Sequence, residues 1–310
     1  MKSPLVSVII PTHNRPQLVI RAVKSALEQT VDDLEVIVVD DASTQVPELP
    51  KDNRLRLIRL SQSHGGAGTR NVGLKEARGR WVTFLDDDDQ LLPNMLQISL
   101  DALSKTNVPP PVAVISGLEV VNAEGQVICT RLPPPIRPQA AHFSLEEIEL
   151  GKSYNTKQTL VVEREVLNRI GGWDETFRSR VHSELFLRLN LACTIIGLPV
   201  VGYRLCEHEG PRVSRNTNLR QESFQRLVGK HKSIFKAHPK MFADFVYEHA
   251  LTSYKMGQKG AALYNFCWAI KLHPSHTLSR FTPLFRKRLM QKLIPGKRLL
   301  TSSLSKYFRR

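Results

Sequence analysis

Residues 81–93 read WVTFLDDDDQLLP, an apolar run that stops in four consecutive aspartates, Asp86, Asp87, Asp88 and Asp89. No other stretch constrains the fold as much. Aspartate is a poor strand former, and carboxylates crowded together repel one another. The strand therefore ends where the acids begin, and something cationic should neutralise them at the edge of the core. A plainer reading stands beside this one: acidic runs after strands are often solvated loops, and Asp89 lies close to a helix entered at Pro93.

The flanking pattern places that edge in a larger sheet. LVSVII (5–10), LEVIVVDD (34–41), LRLIRL (55–60), WVTFL (81–85) and VAVISGLEVV (112–121) are strand-like, and CTIIGLPVVGYRL (193–205) is a strand or two. Between them, Pro16–Gln29 and PNMLQISLDALSK (93–105) have helical spacing. GGAGTRNVGLKEARG (65–79) reads as a glycine-rich turn leading into a helix, and 163–191 as helix, turn, helix. Strands alternating with helices predict an α/β fold with a mainly parallel sheet, in which ligands sit beyond the C-terminal strand ends. Three candidate segments fall there: Pro11–Arg15, Asp40–Ser43 and Asp86–Asp89.

Charge divides the chain. No Asp or Glu follows Glu248, and residues 249–310 hold 13 of the net 15 positive charges, so the rest is nearly neutral. This predicts two regions, 1–220 and a basic helical 221–310. Within the second, residues 249–274 carry Tyr254, Gly257, Ala261, Ala262, Ala269 and Pro274 at positions resembling one tetratricopeptide-type helix pair, a small helical appendage. The four cysteines form no CxxC pair, which fits free thiols in a reducing compartment. The longest uncharged apolar stretch, 191–203, is interrupted by Gly197 and Pro199 and falls short of the roughly 20 residues of a membrane span. A cytoplasmic protein is expected.

PTHNR, VVDDAS, GAGTRNVGL, FLDDDD with Pro93, GGWDE and FLRL occur in this order over residues 5–215. As an ordered set they resemble the family 2 glycosyltransferases, with their GT-A fold. The resemblance implies a nucleotide-sugar donor, UDP-linked first of all, a divalent Mn²⁺ or Mg²⁺ held by a D-x-D element, and hexosyl or related transfer with inversion to an acceptor hydroxyl. It also implies roles. Pro11, His13 and Arg15 line the nucleotide pocket, with His13 where the family usually carries Tyr. Asp41 accepts from the base, while Asp40 is read as a loop-bracing residue. Arg70 meets phosphate or base edge. Asp86 contacts ribose or metal, Asp88 the metal, and Asp87 shares either role. His208 touches diphosphate or metal, and Arg212 phosphate. Trp173 is an acceptor-side aromatic; the competing reading is a core tryptophan.

The sequence departs from the family at the general base, a carboxylate needed opposite the leaving group. The usual Glu-Asp pair before L-x-L-R-L is replaced by RVHSELFLRL. Glu184 is the first candidate, His182 the second and Asp174 the third. Glu184 has a structural alternative, an i,i+4 ion pair with Arg188, and Asp174 can shape the acceptor pocket or cap its own turn.

The expected role is surface-polysaccharide or lipopolysaccharide assembly in a bacterium, with a saccharide or lipid-linked saccharide acceptor. The basic residues 281–310, mixed with Leu, Phe and Ile, suit an anionic membrane surface at the inner face of the cell membrane. Nucleic acid is not expected as a partner, because no recognised module accompanies the charge. Two rival functions remain: a sugar nucleotidyltransferase, whose Gly-rich basic loop after the first strand is missing, and a non-catalytic nucleotide-sugar-binding or scaffold protein, favoured by the altered base motif.

Overall fold

The computed structural model describes residues 3–210 and 212–280, with Ser214 by its backbone alone. The basic stretch 281–310 lies outside the described residues. The chain forms two compact units: residues 1–143 with 152–213, and residues 144–151 with 214–310. The boundary expected at 220 would cut a helix running from Thr217 to Lys230, whose continuous hydrogen bonding keeps it in one unit.

The first unit follows the sequence pattern closely. Its elements are β1 (Val6–Thr12), α1 (Pro16–Leu27), β2 (Leu34–Asp40), β3 (Leu55–Arg59), α2 (Gly65–Glu76), β4 (Trp81–Phe84), β5 (Gln90–Leu91), α3 (Met95–Lys105), β6 (Val112–Val121), β7 (Val127–Arg131), β8 (Ile136–Arg137), β9 (Val161–Glu163), α4 (Arg164–Arg169), α5 (Val181–Ala192) and β10 (Thr194–Cys206). One mixed sheet runs β3-β2-β1-β4-β9-β6-β10-β5. The half β3-β2-β1-β4 is parallel, and β9 enters antiparallel between β4 and β6. β6 and β10 are parallel neighbours.

Every residue of β1 and β2 is buried, because helices cover both faces. Ile9, Ile37 and Val39 point to the side closed by Leu74 of α2, Leu167 of α4 and Phe186 of α5. Val6, Val8, Ile10, Val36 and Val38 point to the side closed by Val19, Val23 and Ala26 of α1 and by Met95 and Leu96 of α3. The period-2 alternation therefore divides two apolar layers instead of apolar from polar, as buried parallel strands require.

Three local readings change. The glycine-rich segment is not a turn before a helix: α2 begins at Gly65 itself. Small residues let it lie close to the sheet, since a Cβ on Gly73 would stand 2.4 Å from Ile9 Cγ2. Residues 193–205 form one strand, β10, whose register shifts between Gly197 and Val201 accommodate Pro199. Three residues, Val161–Glu163, form a strand before the expected helix-turn-helix.

The second unit is helical: α6 (Thr217–Lys230), α7 (Lys232–Ala237), α8 (Pro239–Lys255) and α9 (Lys259–Leu272). α8 and α9 form an antiparallel hairpin reversed at Gly257, which takes φ +80°, a conformation that glycine adopts without strain.

The close seat of α2 on β1 is testable. Gly73→Ala should destabilise the first unit by about 1–3 kcal/mol through overpacking against Ile9. Urea unfolding measures it, and an unchanged midpoint would mean that α2 can move away from β1 freely.

Candidate active site

Parallel strands β1, β2 and β4 deliver Thr12, Asp40 and the aspartate run to one edge of the sheet. Each of the four acids meets a different partner. Asp86 is bound by Arg70 Nη2 and keeps 30 % of its side chain exposed. Asp87 accepts from Thr12 Oγ1 at 2.8 Å and from Arg15 Nη1 at 2.8 Å. Asp88 Oδ2 receives Arg15 Nη1 at 3.1 Å and lies 2.9 Å from His208 Nε2, with Arg212 Nη2 at 3.7 Å. Arg21, on α1, donates to the Asp88 carbonyl at 2.8 Å. Asp89 turns inward, accepting from Tyr203 Oη at 2.8 Å and from the Cys206 amide at 2.9 Å.

These environments separate the acids electrostatically. Burial pushes Asp89 well above the usual carboxylate range, and the charges of Asp88 and Asp86 push it the same way. Burial likewise raises Asp87, against the pull of Arg15. Burial also opposes ionisation of Asp86, but Arg70, His182 and Arg15 outweigh it and hold the carboxyl below its ordinary value. Ligand oxygens of Asp86, Asp88 and Asp89 lie within 4.8 Å of one another, a hard-donor set suited to Mg²⁺ or Mn²⁺. Asp89 is already committed to β10, which leaves Asp86 and Asp88 as the open pair.

The nucleotide-side residues divide in the same way. His13 Nδ1 lies 2.6 Å from the Asp41 carbonyl, and Nε2 lies 2.9 Å from Asn14 Nδ2. A carbonyl only accepts and an amide NH₂ only donates, so the ring is the neutral Nδ1–H tautomer. The side chain is exposed, with its face open. Pro11 is buried within β1. Asp40 braces its loop, accepting from the Ser43 amide at 3.1 Å. Asp41 accepts from the His64 and Gly65 amides and from Ser63 Oγ, at 2.7, 3.0 and 2.7 Å. Burial raises its pKa, but these donors at the start of α2 more than reverse that and hold it low.

On the acceptor side the arrangement differs from expectation. Glu184 is 1 % exposed, and Arg188 takes both its oxygens, Nε to Oε1 at 2.8 Å and Nη2 to Oε2 at 2.6 Å. Arg188 also donates to the Ile170 and Gly172 carbonyls, so Glu184 pins α5 to the loop after α4. Asp174 Oδ1 accepts from Thr176 N and Oγ1, at 2.9 and 2.7 Å, capping its turn. Trp173 is buried; Phe84 and His182 meet it edge-on at 5.1 and 5.0 Å, and Arg70 sits 5.2 Å from its ring centre. Its faces are held by protein, as in the core reading. His182, two residues before Glu184, meets the Trp173 ring and feels the charges of Asp86 and Arg70. Burial pushes its pKa down to about 4, so its imidazole is neutral near pH 7.

Sequence reasoning missed Thr12, Arg21 and Lys157. Lys157 is 7 % exposed, donates to the Tyr154 carbonyl at 2.5 Å and lies against the rings of Phe143 and Tyr154. No signal in a single sequence marks a lysine that folds inward; Thr12 lies within the recognised PTHNR motif, and Arg21 follows it on α1.

The model of the glycosyl transferase family 2 matches residues 7–126, the segment that carries every acid of this cluster. By this segment the chain is similar to the family 2 glycosyltransferases. An uncharacterized glycosyltransferase of Haemophilus influenzae is 32 % identical over 190 residues, covering 60 % of this chain and 62 % of its own. The Escherichia coli UDP-Glc:alpha-D-GlcNAc-diphosphoundecaprenol beta-1,3-glucosyltransferase WfgD is 34 % identical over 112 residues, 35 % of this chain and 44 % of its own. The chain thus spans less than two thirds of the length of either relative. The crystal structure of S. aureus TarS 1-349 in complex with UDP-GlcNAc aligns with TM-score 0.60 at 17 % identity, over 88 % of this chain and 82 % of that one. At that identity the likeness establishes the fold, which is GT-A-like.

Lys157 gives the protein a pH-dependent cost. Burial, with Arg180 nearby, holds the ammonium down to about 7, whereas the unfolded chain keeps that proton to about 10.4. Below pH 7 both states are charged and the full penalty applies. Between pH 7 and 10 the unfolded state binds more protons, so this group's contribution to stability improves as pH rises. Lys157→Met should therefore raise Tm most below pH 7, with the gain shrinking towards pH 10. A pH-independent difference in thermal melts would contradict the buried, uncompensated ammonium.

Proposed function

We propose that the chain is an inverting glycosyltransferase that moves a hexosyl or related sugar from a UDP-sugar to a hydroxyl of a saccharide acceptor. The observation that carries this reading is the gathering of Arg15, Asp86, Asp87 and Asp88 at the C-terminal ends of β1 and β4, inside the family 2 segment. Open α/β sheets bind ligands at that edge. The exposed ring of His13 offers a stacking face for the base, and Arg15, Arg70 and Arg212 offer guanidinium groups for the diphosphate. The printed acceptor of WfgD, a sugar on diphosphoundecaprenol, supports a lipid-linked saccharide here and a role in polysaccharide assembly. No helix among the described residues is long and apolar enough to cross a membrane, so contact with a lipid-borne acceptor would be peripheral, at the inner face of the cell membrane.

Asp86 and Asp88 would hold a divalent ion, with His208 as a further ligand. The fit rests on carboxylate oxygens of Asp86 and Asp88 that converge within 4.8 Å, hard donors of the kind these ions take. When bound, such an ion supplies positive charge against the diphosphate leaving group. Arg15, His208 and Arg212 lie around Asp88 Oδ2 and are placed to turn to phosphate oxygens. Asp41 shapes the pocket by fixing the start of α2, which also sets Arg70.

For the general base the geometry favours His182 over Glu184 and Asp174. Both oxygens of Glu184 belong to Arg188, and Asp174 caps its own turn. His182 stands beside Asp86 with a neutral imidazole able to take the acceptor's hydroxyl proton. Steady-state transfer and donor calorimetry test the assignment together. His182→Gln should leave UDP binding within about twofold and lower transfer by ~10²–10⁴-fold, the usual worth of a positioned base. Wild-type transfer in His182→Gln would remove His182 from the reaction. Glu184→Gln should instead lower Tm, because it leaves Arg188 short of its buried partner.

Asp88→Asn should abolish Mn²⁺-dependent UDP binding in calorimetry while the protein stays folded. Equal UDP affinity with and without Mn²⁺ in the wild type would sink metal dependence. One observation favours a second reading, a donor-binding protein without turnover: the usual acidic pair is absent from α5. Donor binding with no product on any acceptor would select it.

A further inference from the structure

α9 has two unlike sides. One buries Ala262, Asn265 and Ala269 in the helical unit. The other opens Leu263 and Tyr264 to solvent, at 65 % and 66 % exposure, with Cys267 exposed one turn later. Lys259 and Lys271 are exposed at the two ends of the same face. Adjacent large apolar side chains this open on a packed helix mark a surface that another phase or molecule covers.

The charge around the face says what kind. No acid follows Glu248 in the sequence, while residues 249–310 carry 13 Lys and Arg. The two acids of α8 nearest in sequence, Asp244 and Glu248, are already taken: His276 and Arg280 bind Asp244, and Arg280 binds Glu248. The stretch from His249 onward is therefore cationic. A second copy of the chain would bring the same positive charge against it. A nucleic acid would match the charge but leave Leu263 dry-side groups in water. A surface with anionic headgroups over hydrocarbon matches both features, and tyrosine beside leucine suits that boundary.

We propose that this face of α9 docks on an anionic phospholipid bilayer, with Leu263 and Tyr264 entering the headgroup boundary and Lys259 and Lys271 meeting lipid phosphates. The inference deepens the peripheral reading above and rests on it for its purpose. It adds a defined insertion element to the charge of residues 281–310, and it would hold the enzyme where a lipid-linked acceptor is presented.

The full-length chain can be floated with vesicles of phosphatidylcholine alone and of phosphatidylcholine with phosphatidylglycerol, without donor or acceptor. Wild type should float only with phosphatidylglycerol. The double variant Leu263→Asp/Tyr264→Asp, with the basic residues intact, should lose about tenfold in partitioning, as the apolar part of interfacial binding is removed. Lys259→Glu/Lys271→Glu should lose binding in a salt-dependent manner. Matching circular dichroism melts exclude misfolding, since all four positions are exposed. Three results would overturn the proposal: no flotation of wild type, flotation of the Leu263/Tyr264 variant equal to wild type, or a wild-type dimer in light scattering that the variant dissolves. Vesicle binding displaced by duplex DNA at equal phosphate would also overturn it, in favour of nucleic acid. Transfer to a water-soluble acceptor should be unchanged in these variants. Its absence in wild type that still floats would sink the transferase reading and leave the docking surface standing.

Discussion

Four adjacent carboxylates cannot share one sheet edge unless each is answered. Two unit charges about 4 Å apart interact by roughly 4 kcal/mol at the effective dielectric of a protein surface. The fold distributes that cost among three elements. Arg70 comes from α2, Arg15 from the turn after β1, and Tyr203, Cys206, His208 and Arg212 from β10 and the segment that follows it. These contacts tie β4 to both halves of the sheet. The aspartate run is consequently a structural junction, and its members are not equivalent. Asp89 is held by Tyr203 and Cys206, Asp87 is clamped to Thr12 and Arg15, Asp86 pairs with Arg70, and Asp88 meets Arg15 and His208.

The same logic explains the start of α5. Where the family 2 pattern has an acidic pair before its L-x-L-R-L stretch, this chain has His182-Ser183-Glu184. The retained glutamate has been drawn into a two-pronged pair with Arg188 that fixes the helix to its preceding loop. A buried pair of this kind holds geometry; it does not offer a free carboxylate. The imidazole two residues earlier packs against Trp173, and burial keeps it neutral near pH 7.

The helical unit is built on another principle. Its ion pairs join Arg280 to Asp244 and Glu248, Lys240 to Glu147 and Arg226 to Glu222, while α9 exposes apolar side chains flanked by lysines. The first unit answers its aspartate run internally. The helical unit leaves positive charge and apolar surface facing outward, as suits an element whose complement lies outside the chain.

By itself the sequence determined the α/β class, the extents of β1, β2, β4 and β6, and the location of the acids, because period-2 and period-3.6 patterns and the abrupt run of Asp86–Asp89 are local properties. β9 escaped it: three residues are too few for a period, and their strand exists only because β4 and β6 flank them. Only the tertiary structure decided which acid does what. Asp88 and Asp89 are neighbours in the chain with the same side chain, yet one meets His208 and the other Tyr203, residues more than a hundred positions away. The pairing of Glu184 with Arg188 was a readable possibility at i,i+4, but its burial and its anchoring to Ile170 and Gly172 were not. Burial, partner and protonation state depend on what long-range packing brings to each group, and a sequence pattern carries no record of that.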